Sequence, residues 1–250
     1  MTDSAFEFAF ITDPQIGMNS RWGLDGPNSD RSRFESAIRY VNENDIDFVL
    51  LGGDHINRAD TQEQMDVFFD CLSQLNVPYY GVAGNHDQND PREAASPYFD
   101  RGGPRRFAFT HKQAFFMGLD ASNWRGSFGD ELQQEEWKHF ESMIALADAS
   151  CTQRFLVMHW PLFVRHPHEE ETYWNMQDRH EIIVALKKHD ISCVISGHYH
   201  QDLEAQWNGV GMVSSIGTSQ PLQYPEEQAF KVFTIFENGW LARRVSVEHT

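Results

Sequence analysis

Seven side chains with lone pairs suited to cations recur along this chain in five short clusters. They are Asp13 and Gln15 in Asp13-Pro14-Gln15, Asp54 in Gly53-Asp54-His55, Asn85 in Gly84-Asn85-His86-Asp87, His159 in His159-Trp160-Pro161, and His198 and His200 in Gly197-His198-Tyr199-His200. Each cluster follows an apolar run, where a buried strand gives way to a loop and side chains from several strand ends can converge. One such cluster would be an ordinary polar loop. Five in this order supply a mixed oxygen and nitrogen set that suits a pair of divalent, transition-type metals.

The elements that must position these residues are legible in the hydrophobic periodicity. Phe6 to Ile11 reads as a buried strand, and Phe34, Ala37, Ile38 and Val41 recur at helical spacing before a second apolar run from Asp47 to Leu51. A strand, helix, strand unit of this kind makes its two strands parallel. Met65, Phe68, Phe69, Leu72 and Leu75 repeat the helical pattern ahead of a third strand at Tyr79 to Val82, and a stripe at that spacing is core. Arg106 to Thr110 and Ala114 to Leu119 form a strand pair about His111-Lys112, ending in the polar cluster Asp120 to Trp124. Trp137, Phe140, Ile144 and Ala147 mark another helix, Arg154 to Met158 a strand, Ile182, Ile183 and Leu186 a helix, and Ile191 to Ile195 a further strand. Beyond Asp202, alternating runs such as Gly211 to Ile216 and Lys231 to Phe236 predict antiparallel strands that finish a second sheet. Two stretches lack a period: the Gly, Asn and Pro-rich loop from Met18 to Asp30, and the segment Arg165 to Asp178. The acidic run Glu169-Glu170-Glu171 predicts that the latter is a mobile, solvated flap.

Composition narrows the function. At 250 residues and 40% hydrophobic, the chain can form one domain over 1–250 with a sizeable core. A net charge of −17 argues against nucleic acid or an anionic membrane surface as the main partner. No apolar run is long enough to span a bilayer, and the N-terminus runs directly into a strand. Cys71, Cys151 and Cys193 are odd in number and widely spaced, which predicts reduced thiols and a cytoplasmic protein.

In order and spacing, the blocks Asp-x-Gln, Gly-Asp, Gly-Asn-His-Asp, His and Gly-His-x-His resemble the calcineurin-like metallophosphoesterase family, across most of the chain from Asp13 to His200. Most of that family carries Asp-x-His in the first block, and a minority has Gln. The resemblance implies an α/β fold, a two-sheet α/β/β/α sandwich, and a metal-dependent phosphoric ester hydrolase acting on a small-molecule phosphate ester. It also implies two divalent ions, one held by Asp13, Gln15, Asp54 and His200 and the other by Asp54, Asn85, His159 and His198. Asp54 is the candidate bridge, since a carboxylate can give one oxygen to each ion. The Gln15 amide hardens the first site toward Mn²⁺ or Mg²⁺, with Fe or Zn open at the second.

His86 follows a ligand position and is expected to face the substrate as the acid that protonates the leaving group, with neighbouring Asp87 holding its ring and raising its pKa. Asn57 resembles a family asparagine that braces the loop after the bridging aspartate, and His55 is expected to pack. Arg21, Arg31 and Tyr199, by proximity to the clusters, are candidate substrate contacts. Three substrate classes suit the same metals: phosphodiesters, ranked first, phosphomonoesters, and nucleoside-diphosphate-type compounds. A non-catalytic interaction module of the same fold is the rival of another class, and the presence of both His86 and Asp54 weighs against it.

Overall fold

The structure, a computed structural model, describes residues 5–19, 23–90, 96–170, 172–219 and 228–247. The first half runs β1 (Phe6–Ile11), α1 (Asp30–Glu43), β2 (Phe48–Leu51), α2 (Gln62–Leu72), β3 (Tyr79–Gly81), α3 (Pro97–Asp100), β4 (Phe107–His111) and β5 (Ala114–Gly118). The second runs α4 (Ala121–Trp124), α5 (Asp130–Ile144), β6 (Gln153–Val157), α6 (Arg179–Lys188), β7 (Cys193–Ser196), β8 (Leu203–Trp207), β9 (Val210–Ser214), β10 (Ala229–Phe236) and β11 (Gly239–Ser246).

Two sheets stack face to face. The first has the order β11-β10-β1-β2-β3 and the second β4-β5-β6-β7-β9-β8. The central strands are parallel, β1 to β2 to β3 in one sheet and β5 to β6 to β7 to β9 in the other. Strand alternation divides the burial: Phe8 and Phe10 of β1 face the space between the sheets, while Ala9 and Ile11 face the helices. In the same way Phe155 and Val157 point inward and Leu156 points to the outer layer. Helices α1 and α2 cover the first sheet through Phe34, Ile38, Met65 and Phe68, and α5 and α6 cover the second through Phe140, Ile182 and Leu186. The four layers are helix, sheet, sheet, helix. With both faces covered, the strands must be near-continuous apolar runs, which is why they stand out in the sequence.

Two readings of the sequence need correction. The β8 and β9 pair does finish the second sheet, but β9 runs parallel to β7, and β10 and β11 join the first sheet, with β10 antiparallel to β1. Phe233 and Ile235 of β10 pack between the sheets while Phe230 and Val232 pack under the helices, so this strand needs cover on both faces and finds it beside β1. Alternation identifies such a strand without saying which sheet receives it. The segment 165–178 is not a solvated flap among its described residues. The Glu169 carboxylate turns inward and accepts from the backbone N–H groups of Val164 (2.7 Å) and Arg165 (2.8 Å), and Met176 is fully buried in the outer core of the second sheet. A run of acids read as solvating contains one that caps its own loop.

Phe8 is the hub of the inner layer. Its ring is stacked 4.8 Å from Phe233 and 5.2 Å from Phe48, and lies edge-on to Phe116 and Phe155. Phe8→Ala should therefore cost about 3–5 kcal/mol in urea unfolding, the range for a truncated buried aromatic, with Phe8→Leu clearly milder.

Candidate metal centre

All five polar clusters sit at the carboxyl ends of parallel strands. Asp13 and Gln15 follow β1, Asp54 follows β2, Asn85 and His86 follow β3, His159 follows β6, and His198 and His200 follow β7. The chain turns unusually hard there: Asp13 (φ 50°), Gln15 (φ 35°), Asp54 (φ 50°), His198 (φ 65°) and His200 (φ 50°) all adopt the left-handed region. Each such non-glycine residue costs on the order of 1–3 kcal/mol, so its surroundings must enforce the conformation. Bonds between loops do this. Asp13 N–H donates to the Gly53 carbonyl (3.0 Å), Gln15 N–H to that of Asp54 (2.9 Å), and Gly197 N–H to that of His159 (3.0 Å). Gly84 is required by contact, since a Cβ there would stand 2.1 Å from Asp54 Oδ1.

The side chains meet at the centre. Asp54 Oδ1 accepts from the His86 backbone N–H at 2.8 Å, leaving Oδ2 3.2 Å from His159 Nε2. Asp13 Oδ2 accepts from Thr12 Oγ1 (2.6 Å) and His198 N–H (3.1 Å), and Oδ1 lies 3.3 Å from His200 Nε2. His159 donates Nδ1–H to the Gly52 carbonyl at 2.8 Å, which fixes its tautomer and aims Nε2 inward, 3.2 Å from His198 Nδ1. Gln15 Oε1 accepts from Ser219 Oγ at 3.3 Å. Asn85, His198 and Gln15 stand with Asp54 and His200 around a cleft of about 290 Å³, while Asp13 and His159 are fully buried.

These residues fit cations. Asn85 Oδ1 is buried with no hydrogen-bond partner among the described residues, and donor atoms of Asp54, His159 and His198 lie within 4.8 Å of one another. Buried polar atoms left bare are costly, and lone pairs directed at one another call for a positive ion among them. The protonation pattern points the same way. Burial raises the Asp54 and Asp13 carboxyls, yet facing imidazoles, chiefly His159 for Asp54 and His200 for Asp13, hold both below the usual carboxylate range. Burial opposes charge on His159, but Asp54 and Asp13 together lift it to about 9. Burial and the neighbouring His159 push His198 down to about 3, while Asp13 raises His200 against its burial.

His86 lines the same cleft, its side chain 38% exposed. Its Nδ1 lies 2.9 Å from the Asn57 carbonyl, which can only accept, so the proton is on Nδ1 and Nε2 faces the cleft, 4.0 Å from Asp54 Oδ2. The bracing at Asn57 thus runs through its backbone. Asp87 does not hold this ring. Its carboxylate is fully buried and accepts from the N–H groups of Gly84 (2.8 Å) and His55 (2.7 Å) and pairs with His55 Nδ1 at 2.9 Å. His55 packs against Tyr98 and Phe68, as expected. Adjacent residues in a tight loop point apart, and Asp87 serves as the pin between the second and third clusters.

The substrate candidates fare unevenly. Arg31 turns away and is held by Asp25, Glu35 and Asp70. Arg21 lies outside the described residues. Tyr199 stands 5.7 Å from Trp174 and lines a neighbouring cleft of about 560 Å³, not the one over Asp54. Arg125, Trp160 and Trp174 line the main cleft instead. Trp160 reaches the cleft as the residue directly after His159. Arg125 comes one residue after the polar cluster Asp120 to Trp124, a strand-end signal whose last step was missed.

Comparison with known proteins follows the same lines. The family model described as calcineurin-like phosphoesterase matches residues 6–202. A serine/threonine-protein phosphatase CPPED1 from Danio rerio is 25% identical over 97% of this chain and 85% of its own length. The 3',5'-cyclic adenosine monophosphate phosphodiesterase CpdA of Haemophilus influenzae is 23% identical over 92% of this chain and 82% of its own length. Among solved structures, a purple acid phosphatase from yellow lupin superposes with a TM-score of 0.69 at 15% identity, over 98% of this chain and 52% of that one. The latter similarity is one of fold.

Two predictions arise here. Below pH 9 or so, a cation must displace the proton that Asp54 and Asp13 hold on His159. Affinity for Mn²⁺ should therefore climb as pH rises from the ordinary histidine range toward 9, with proton release measurable by calorimetry in buffers of different ionisation enthalpy. In the metal-free protein the sign reverses: the raised His159 stabilises the fold fully below the unfolded pKa, and that share is lost as pH rises through about 9. Gly84→Ala should push Asp54 out of place and weaken metal binding at least tenfold, since mispositioned ligands cost about 10–100-fold. Unchanged affinity would show that the close approach of Gly84 to Asp54 is not required.

Proposed function

The chain belongs to the calcineurin-like phosphoesterases, a family of metal-dependent phosphoric ester hydrolases, and we propose that it cleaves a phosphodiester at a two-ion centre bridged by Asp54. The observation that carries this reading is the Asp54 carboxylate itself, 3.2 Å from His159 Nε2 and grouped with His159 and His198 within 4.8 Å, beside the paired Asp13 and His200. In the proposed assignment Asp13, Gln15, Asp54 and His200 hold one ion and Asp54, Asn85, His159 and His198 the other. The amide oxygen of Gln15 favours Mn²⁺ or Mg²⁺ at the first site, while the imidazoles of the second accept Fe or Zn as readily. Bound there, divalent ions would make water more acidic and neutralise the phosphoryl oxygens.

The remaining work falls to the chain. The Asn57 carbonyl orients His86 so that Nε2 faces the cleft, where, protonated, it can give its proton to the departing alkoxide. Trp160 packs 3.6 Å from the His198 ring and dries that side of the centre. Cationic provision in the cleft is sparse, Arg31 being engaged elsewhere, and this favours the singly charged diester over a monoester dianion. The activity named for CpdA supports the diester ranking, and that named for CPPED1 keeps phosphomonoesters as the second reading. Three buried free thiols support a cytoplasmic location.

The test is on metal-loaded protein with nitrophenyl and alkyl esters of the same phosphate. His86→Ala should keep both ions yet lose about 10²–10⁴ in turnover, with a smaller loss for nitrophenolate, which leaves without a proton. Equal losses for the two leaving groups would remove His86 from the role of acid.

A further inference from the structure

Arg125 differs from most of the described arginines in its partners. Arg31, Arg33, Arg101, Arg105 and Arg106 each sit against a carboxylate. Arg125 has no carboxylate partner among the described residues, although the chain carries 37 acidic residues against 20 basic ones. It lines the cleft over Asp54. Two of its N–H donors are used on backbone carbonyls, Nε on Asn175 at 3.0 Å and Nη2 on Thr172. A guanidinium has five, so the fork keeps donors to offer, and the carbonyls fix its plane in advance.

Its distance from the metal centre is set by an aromatic spacer. The guanidinium carbon lies 4.3 Å from the centre of the Trp160 ring, and the His198 ring lies 3.6 Å from the same indole. Both groups pack on the one indole, so Trp160 sets the spacing between them. A phosphoryl group at His198 is thus held apart from Arg125 by the Trp160 side chain. Burial already disfavours the bare cation, lowering its pKa, and an incoming anion would relieve that cost.

We propose that Arg125 is a specificity residue that binds a second anionic group of the substrate, set apart from the reacting phosphoryl by the Trp160 indole. The inference rests on the phosphodiesterase reading and narrows it. The preferred class is a phosphodiester whose second alcohol carries a carboxylate or phosphate. Cation and indole together form a preorganised subsite, planar, half-desolvated and oriented by the 172–175 backbone.

The test compares two p-nitrophenyl phosphodiesters on the metal-loaded protein, one with a methyl second ester and one with a carboxyalkyl chain. The wild-type protein should favour the carboxylate ester by about tenfold or more in kcat/KM, mainly through KM, as a charge-assisted contact would give. Added salt should narrow the preference. Arg125→Gln should abolish it while leaving the methyl ester within a few-fold of wild type, and Arg125→Lys should keep part of it. If Arg125→Gln does not fold, the wild-type preference and the partial rescue in Arg125→Lys decide the matter. Equal kcat/KM for both esters in the wild-type protein would overturn the proposal, as would an equal loss on both in Arg125→Gln, the mark of a residue that only straps the 172–175 loop. Failure of the wild-type protein to hydrolyse either ester would instead sink the phosphodiesterase reading and this inference with it.

Discussion

The burial of two carboxylates, Asp54 and Asp13, beside three imidazoles is the constraint on which the rest of the structure depends. Taking a carboxylate out of water costs several kcal/mol unless charge and hydrogen bonds replace the lost hydration. Here backbone N–H groups of His86 and His198 supply part of that replacement, and imidazoles supply more. The Asn85 Oδ1 atom, left without a partner among the described residues, marks what the chain itself does not supply. The strained loops, the close approach of Gly84 and the Asp87 pin all keep this arrangement in place. A parallel double sheet suits the purpose because it delivers every cluster from the same end of a rigid layer.

Much of this was legible in the sequence, for a physical reason. A strand buried on both faces is an apolar run, and its abrupt end in Asp13, Asp54, Asn85, His159 or His198 is visible without coordinates. The structure brings all seven proposed ligand residues together at one place. Side-chain direction within a loop was not legible. Asp87 follows His86 but points to His55, because the turn sends successive side chains to opposite sides. Arg31 was readable in hindsight: Glu35 lies four residues on, an i,i+4 partner on the same helix face. The placement of β10 beside β1 depends on which sheet has an open edge, and the inward turn of Glu169 on amides in its own loop. Neither leaves a periodic trace.

The electrostatics of the cleft follow from the same economy. A chain with net charge −17 repels anions at long range, so recognition of a phosphate ester must be local. Among the described residues one arginine, Arg125, lines the cleft beside whatever ions the Asp54 cluster holds, while arginines such as Arg31 and Arg106 are matched with acids. Trp160 does two jobs in that cleft, shielding His198 and packing against Arg125.

The central claim is that Asp54 is shared between two ions, and anomalous diffraction at the manganese edge from crystals grown with Mn²⁺ tests it most directly. The account predicts two peaks per chain, about 3.5–4 Å apart, each within bonding distance of a different Asp54 oxygen. A single peak in a fully loaded crystal, or two peaks of which Asp54 touches only one, would contradict it.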